Sequence, residues 1–304
     1  ENRNLDGKID EFRYVSKWNT YPTDGSSFTP ETMAYTSEEL EDGGCSANVA
    51  VYHFDTDLSD SGPNAITATT YVDTSGGETG EVVVSADKSV FGGNSLRIVP
   101  TLGDGGTYSY EGARSSYLKV GSNSNITHIA ANEEFTIDFW INFDDVSGWA
   151  PWNRGLATGY QGEQVIFWGG GAWDSDFHLI YYPVGYSNHT TGPTFLLMDE
   201  YDYVLPSTTV IENNTWYHFA VTRSQDRVSL YIDGTRVGFS TNSDSLSQES
   251  TSDIRFGGFT NDDQGFSGYI DELRIVKGKA IWTGDSFEVP TAQYNCNDSY
   301  PVLL

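Results

Sequence analysis

The sequence predicts an all-β protein, a two-sheet antiparallel jelly-roll sandwich. Three observations carry that reading. Several segments alternate apolar and polar residues with a period of two, Phe135–Phe143 most clearly. The composition, with 14 % aromatic residues, 32 Gly and only 19 % charged residues, suits strands and tight turns. No segment shows convincing helical spacing of apolar residues.

The elements follow in chain order. In Phe135-Thr-Ile-Asp-Phe-Trp-Ile-Asn-Phe143, the odd positions Phe135, Ile137, Phe139, Ile141 and Phe143 share one face. Thr136, Asp138, Trp140 and Asn142 share the other, so a half-buried strand is expected. Trp216–Arg223 and Val228–Ile232 follow the same rule. Asp233-Gly234 then forms a two-residue hairpin signal, and the chain returns through Thr235–Phe239. Ser247–Ser252 is a polar loop. In the last strand, Tyr269–Ile275, strict alternation puts Asp271 on the face of Tyr269, Leu273 and Ile275, with Glu272 and Arg274 opposite. A carboxylate on an apolar face is costly unless it is paired, hydrogen-bonded or metal-bound. Two readings of Asp271 therefore stand: a metal ligand, or an acceptor for backbone N–H groups at a sheet edge.

An internal repeat organises the chain. Gly7-Lys-Ile-Asp-Glu-Phe-Arg-Tyr-Val15 echoes Gly268-Tyr-Ile-Asp-Glu-Leu-Arg-Ile-Val276, and Phe28–Tyr35 echoes Phe287–Tyr294. Residues 1–35 are therefore expected to be the last strand and tail of a preceding jelly-roll repeat. Residues 36–45 are a linker, 46–294 a complete module, and 295–304 the start of a following one. A lone last strand cannot bury its apolar face. Ile9, Asp10, Phe12 and Tyr14 are thus expected to assemble with a neighbouring copy, in the same chain or in another subunit.

Charge and motifs exclude several functions. The net charge is −27, with 16 basic residues spread along the chain, which excludes a phosphate-tracking nucleic-acid surface. The acid excess suits a solvated surface in a salty medium, and some carboxylates can hold cations. No apolar run is long enough for a membrane helix, so no membrane insertion is expected. The chain opens Glu1-Asn-Arg-Asn4 without a signal sequence, as a processed or excised piece would. Four Asn-x-Ser/Thr sites, at Asn125, Asn188, Asn213 and Asn297, are compatible with secretion. The five histidines lack nucleophile or metal spacing, and no phosphate-binding loop is present.

Six ordered motifs resemble the laminin-G-like, concanavalin A-like lectin/glucanase jelly roll, in the pentraxin-like form found in phage and bacterial surface proteins. They are Val51-Tyr-His-Phe-Asp55, Phe91-Gly-Gly-Asn-Ser-Leu-Arg97, Phe135-Thr-Ile-Asp-Phe-Trp140, Asn214–Arg223, Leu230-Tyr-Ile-Asp-Gly234 and Gly268–Arg274. The resemblance implies two packed sheets of six or seven strands each. It also implies one structural Ca²⁺, carried over onto Asp55, the Gly93 carbonyl and Asp271. Oxygen-only ligands suit that ion.

The fold also hosts glycoside hydrolases, whose strands carry Glu-x-Asp-x-x-Glu. The nearest segment here, Glu133–Asp138, has Thr136 in the middle position and no third acid, so no enzyme is expected. Trp152, Tyr160, Trp168 and Trp173 lie near amides and acids. They suit a sugar-binding platform, or the filling of the sandwich or of an inter-module contact. Cys45 and Cys296 flank the module, and because jelly-roll ends lie side by side a disulfide between them is expected; pairing between repeats or free thiols are the alternatives. The functional expectation is a non-catalytic repeat module of an extracellular, cell-surface or virion-surface adhesin, fibre or filament. It would assemble with copies of itself and bind glycan. The alternatives are a structural subunit without ligand and, further off, a glycoside hydrolase.

Overall fold

The computed structural model describes residues 49–74, 80–102, 113–114, 116–121, 129–146, 163–169, 177–183, 193–199, 202–207, 209–241, 253–258 and 265–294. The chain divides at Gly44–Cys45 into two units, and every described residue belongs to the second. Ile9, Asp10, Phe12, Tyr14, Cys45, Cys296, Trp152, Tyr160 and Trp173 lie outside the described residues, as do the segments 1–35, 36–45 and 295–304.

Among the described residues there is no helix. The strands are β1 (Val49–Tyr52), β2 (Ala68–Tyr71), β3 (Glu81–Ser85), β4 (Ser95–Val99), β5 (Thr101–Leu102) and β6 (Ala113–Arg114). Then come β7 (Tyr117–Val120), β8 (Phe135–Phe143), β9 (Gln164–Gly169), β10 (Phe177–Tyr182), β11 (Thr194–Asp199) and β12 (Asp202–Ser207). The last are β13 (Trp216–Ser224), β14 (Arg227–Ile232), β15 (Thr235–Thr241), β16 (Ile254–Phe256) and β17 (Gly268–Lys277). Apart from the small pair β5–β6, they form two antiparallel sheets. The eight-stranded sheet runs β15-β14-β13-β8-β17-β4-β3, with β1 also paired to β17. The seven-stranded sheet runs β12-β11-β10-β9-β16-β7-β2. The extra strand over the expected six or seven arises because β4 and β1 lie end to end along β17. Gly268–Ile270 pair with β4, and Leu273–Val276 pair with β1.

The core lies between the sheets. Alternation in β8 sends Phe135, Ile137, Phe139, Ile141 and Phe143 inward, all fully buried, as their spacing requires. Phe139 meets Phe167 and Phe256 of the facing sheet edge-on, with ring centroids at 6.5 and 5.7 Å. The Asp233-Gly234 hairpin joins β14 to β15. Both residues have positive φ, 47° and 72°, which a type I′ turn requires and which glycine and aspartate tolerate.

Two expectations need correction. The outer face of β8 is not solvated: Thr136, Asp138 and Asn142 are buried too. A strap, residues 278–294, crosses that side of the sheet. Its Trp282 and Gly284 carbonyls accept hydrogen bonds from Thr222 Oγ1 and Tyr231 Oη at 3.0 and 2.8 Å. Second, Asp271 is not on the face of Leu273 and Ile275. The pairing slips between Asp271 and Arg274, where β17 spends one residue more than β8. That residue, Glu272, takes a φ of 51°. The bulge leaves Tyr269, Asp271 and Arg274 outward and turns Ile270, Leu273 and Ile275 into the core.

Candidate functional site

Antiparallel pairing aligns outward side chains into rows across the eight-stranded sheet. One row holds Ala220, Asp138 and Arg274. Arg274 grips Asp138 with both arms, Nε to Oδ1 at 2.9 Å and Nη2 to Oδ2 at 2.5 Å. His218 Nε2 lies 3.6 Å from Asp138 Oδ2 and is hydrogen-bonded to Tyr294 Oη at 2.8 Å. The Arg274 guanidinium also sits 4.2 Å from the Tyr294 ring centroid. Burial opposes ionisation of Asp138, but the Arg274 charge and the His218 and Arg274 hydrogen bonds win, holding its carboxyl below the usual range. The strap seals the row, with Phe287 stacked on Trp282 at 3.9 Å and bonded through its N–H to the Gly234 carbonyl.

The second feature is the seam where β4 gives way to β1 along β17. Neither neighbour pairs with Asp271 or Glu272 there. Asp271 is fully buried, and its Oδ2 accepts from the Val90 and Phe91 N–H groups at 2.7 and 3.3 Å. Its Oδ1 accepts from the Glu272 N–H at 2.9 Å. Burial dominates even so and pushes its carboxyl up to about 7. Glu272 is equally buried; its carboxylate accepts from His53 Nδ1 at 2.9 Å and from the Tyr294 N–H at 2.7 Å. The Glu272 hydrogen bond raises the His53 pKa against the cost of its burial.

Asp55 and Asp271, expected as metal ligands, meet the same turn, Val90–Gly93. Gly92 has a φ of 65°, and a Cβ there would lie 1.5 Å from Asp55 Oδ1. Gly93, with a φ of 95°, faces open space. Asp55 Oδ2 accepts from Gln293 Nε2 at 2.6 Å, while its buried Oδ1 has no hydrogen-bond partner. The Asp55 carbonyl accepts from Asn94 Nδ2. Among the described residues no three Asp, Glu, His or Cys side chains converge as a metal cluster. The pair of carboxylates and the turn carbonyls are what the site offers.

Trp168 is not an open aromatic platform. It is 3 % exposed and stacked on His178 at 4.2 Å and 6°, beside Val165, Ile180, Tyr182 and Leu196. Across the strands it is paired with His178 on β10 and Arg255 on β16.

A row that sequence reasoning missed lies four residues further along β8 from Asp138, beyond the strap's hydrogen bonds. Pairing sets Trp216, Asn142, Tyr269, Arg97 and Val83 side by side on β13, β8, β17, β4 and β3. Trp216 and Arg97 are half-buried, and Val83 is 44 % exposed. The Trp216 and Tyr269 ring centroids are 6.5 Å apart. The Lys88 ammonium and the Arg97 guanidinium each lie 4.6 Å from the Tyr269 ring centroid. Lys88 Nζ donates to Asn142 Oδ1 and Asn214 Oδ1 at 3.0 and 2.7 Å, and Arg97 pairs with Asp144. Alternation marks these residues as outward-facing. Their side-by-side placement depends on pairing between distant segments, which no local pattern reveals.

Comparison with known proteins bears on the fold. Domain 4 of AbnA, a GH43 extracellular arabinanase from Geobacillus stearothermophilus, was solved in complex with arabinotriose. It shares 18 % identity and a TM-score of 0.50, over 75 % of this chain and 91 % of that one. The binding domain of Paraclostridial Mosquitocidal Protein 1 matches at 13 % identity and a TM-score of 0.47, over 75 % of this chain and 48 % of that one. A native heptameric SAP-like pentraxin from Limulus polyphemus matches at 15 % and 0.34, over 48 % and 64 %. At such identities the likeness is one of fold alone. No curated protein matches the sequence. A family model described as the concanavalin A-like lectin/glucanases superfamily matches residues 111–280, more than half of the 304. That stretch contains β8 and β13–β16, the strands whose alternation built the core, and the two-sheet sandwich agrees with it: the chain belongs to the concanavalin A-like lectin/glucanases superfamily.

Proposed function

We propose that this chain is a non-catalytic glycan-recognition module of an extracellular surface protein. One observation carries the proposal. Asp138, the strand carboxylate nearest to a hydrolase pattern, is tied to Arg274, held ionised and covered by the strap. A general acid needs a raised pKa and access to substrate, and Asp138 has neither. The expected result is binding to a defined set of glycans on an array, with no release of reducing ends from the bound polysaccharides. Reducing-end release that disappears in Asp138→Asn or Glu134→Gln would overturn it.

The rival reading is a structural fibre or filament subunit that binds no glycan. The repeat favours it. Residues 7–15 copy β17, and Asp10, Glu11 and Arg13 stand where Asp271, Glu272 and Arg274 make their buried bonds. A strand carrying such charges needs partners like His53 and Asp138 in a neighbouring sandwich, here another copy of the module. Silence across the array would favour this reading.

Ca²⁺ held by Asp55, the Gly93 carbonyl and Asp271 completes the proposal. The unpartnered, buried Asp55 Oδ1 and the costly ionisation of Asp271 support it. The ion would neutralise buried carboxylates at the junction of β1, β4 and β17, and its role is structural. A chelator at neutral pH is expected to lower the Tm, Ca²⁺ to restore it, and Asp271→Asn to abolish the response. A Tm indifferent to chelation would refute the site.

A further inference from the structure

We infer that residues 7–35 of one chain fit the socket that residues 268–294 fill in a second copy, so that copies join by exchange of a strand together with its strap. The inference rests on the fibre reading above. It extends that reading from one strand to a whole plug and names the socket that takes it.

The demands of the socket are written on β17. Gly268 has a φ of 159°, and a Cβ there would lie 2.1 Å from the Asn142 carbonyl oxygen. Ile270 is buried in the core between the sheets. Asp271 meets the Val90 and Phe91 N–H groups, Glu272 meets His53, and Arg274 meets Asp138. Residues 7–13 answer each demand in register, with Gly7, Ile9, Asp10, Glu11 and Arg13. A generic strand would not, because Asp271, Glu272 and Arg274 are all buried and each needs its own partner.

The likeness continues through the strap. Phe287 stacks on Trp282 at 3.9 Å. The Asp285 carbonyl accepts from the Arg236 N–H at 2.9 Å, and Tyr294 Oη lies 2.8 Å from His218 Nε2. Tyr21, Asp24, Phe28 and Tyr35 stand where Trp282, Asp285, Phe287 and Tyr294 stand. Three residues separate Asp24 from Phe28, where Ser286 alone separates Asp285 from Phe287. The added length falls in the exposed turn at 283–286, where it costs little.

Each chain thus carries two such plugs and, among the described residues, one socket. β17 lies inside the sheet, with β8 on one side and β4 and β1 on the other, so its place takes one strand only. The resident plug fits better. Leu273 and Ile275 are fully buried, and Phe12 and Tyr14, which match them, are larger; Tyr14 also brings a hydroxyl. Residues 7–35 therefore enter only a socket that β17 has left. The resulting link is head-to-tail, the kind from which rings and filaments grow.

The test mixes two full-length chains. In the acceptor, Gly268→Val drives the resident strand from the socket, and Gly7→Val spoils the second plug. The donor is the unaltered chain. Native mass spectrometry is expected to show a one-to-one complex of the two. Arg13→Glu in the donor should weaken that complex about tenfold or more, because Asp138 then faces a like charge. A synthetic peptide of residues 7–35 should compete with the donor. Added alone, it should restore the near-ultraviolet circular dichroism of the acceptor, which keeps the test decisive where the acceptor does not fold unaided. No complex with either donor or peptide overturns the inference. So does a complex that forms equally well with a Gly7→Val donor, since that is pairing through exposed strand edges. The fibre reading falls separately, by glycan binding on the array.

Discussion

Replacing Arg274 with alanine is expected to destabilise the sandwich by about 3–5 kcal/mol, the cost of stranding a buried charge. Asp138 would keep only His218, at 3.6 Å, inside a layer sealed by the strap. The loss should exceed that of Asp138→Asn, because asparagine leaves no bare anion. Urea unfolding measures both. A double variant, Asp138→Leu with Arg274→Met, should recover most of the loss, since well-packed apolar residues replace buried ion pairs at little cost. The same pair fixes the acid limb of stability. The Asp138 carboxyl is depressed in the folded state, so its contribution is complete above the ordinary carboxylate range. It is lost as pH falls through the depressed value. Arg274→Ala should flatten that limb. A loss under about 1 kcal/mol would mean that water reaches Asp138 and that the strap does not seal it.

Phe139→Ala is expected to cost about 3–5 kcal/mol, the range for a buried aromatic truncated to a methyl group. Phe139 stands at the centre of β8, fully buried. It touches Phe219 on its own sheet and Phe167 and Phe256 on the other, so the cavity would open in the contact between the layers. Phe239→Ala is the control. That ring lies on the edge strand β15, 47 % exposed between Arg227 and Arg236, and its loss should cost well under half as much. Equal effects in the two variants would contradict the burial of Phe139.

Much of the fold was legible in the residues because its signals are local. The alternation of β8 named all five core residues on that strand. Asp233-Gly234 announced its hairpin, since few residue pairs accept two positive φ values in succession. The resemblance named Asp55 and Asp271 together, and both meet the Val90–Gly93 turn, Asp55 at Gly92 and Asp271 at the Val90 and Phe91 N–H groups. The face of Asp271 was misjudged because the bulge at Glu272 looks, in sequence, like any other strand residue. For Trp168 a platform and a filler both stood, because the sequence does not show whether its ring is open or stacked on His178. The ion pair of Asp138 with Arg274, 136 residues apart, left no local trace.

By itself, then, the sequence determined the class of fold, the inward set of side chains on β8 and an acid excess that argues against a nucleic-acid surface. These follow from period, composition and charge, which are properties of short windows or of the whole chain. Only the tertiary structure decided which outward residues stand together, which of them the strap covers and which carboxylates are neutralised. Those outcomes depend on register between strands distant in sequence. One extra residue at Glu272 exchanges the faces of everything beyond it.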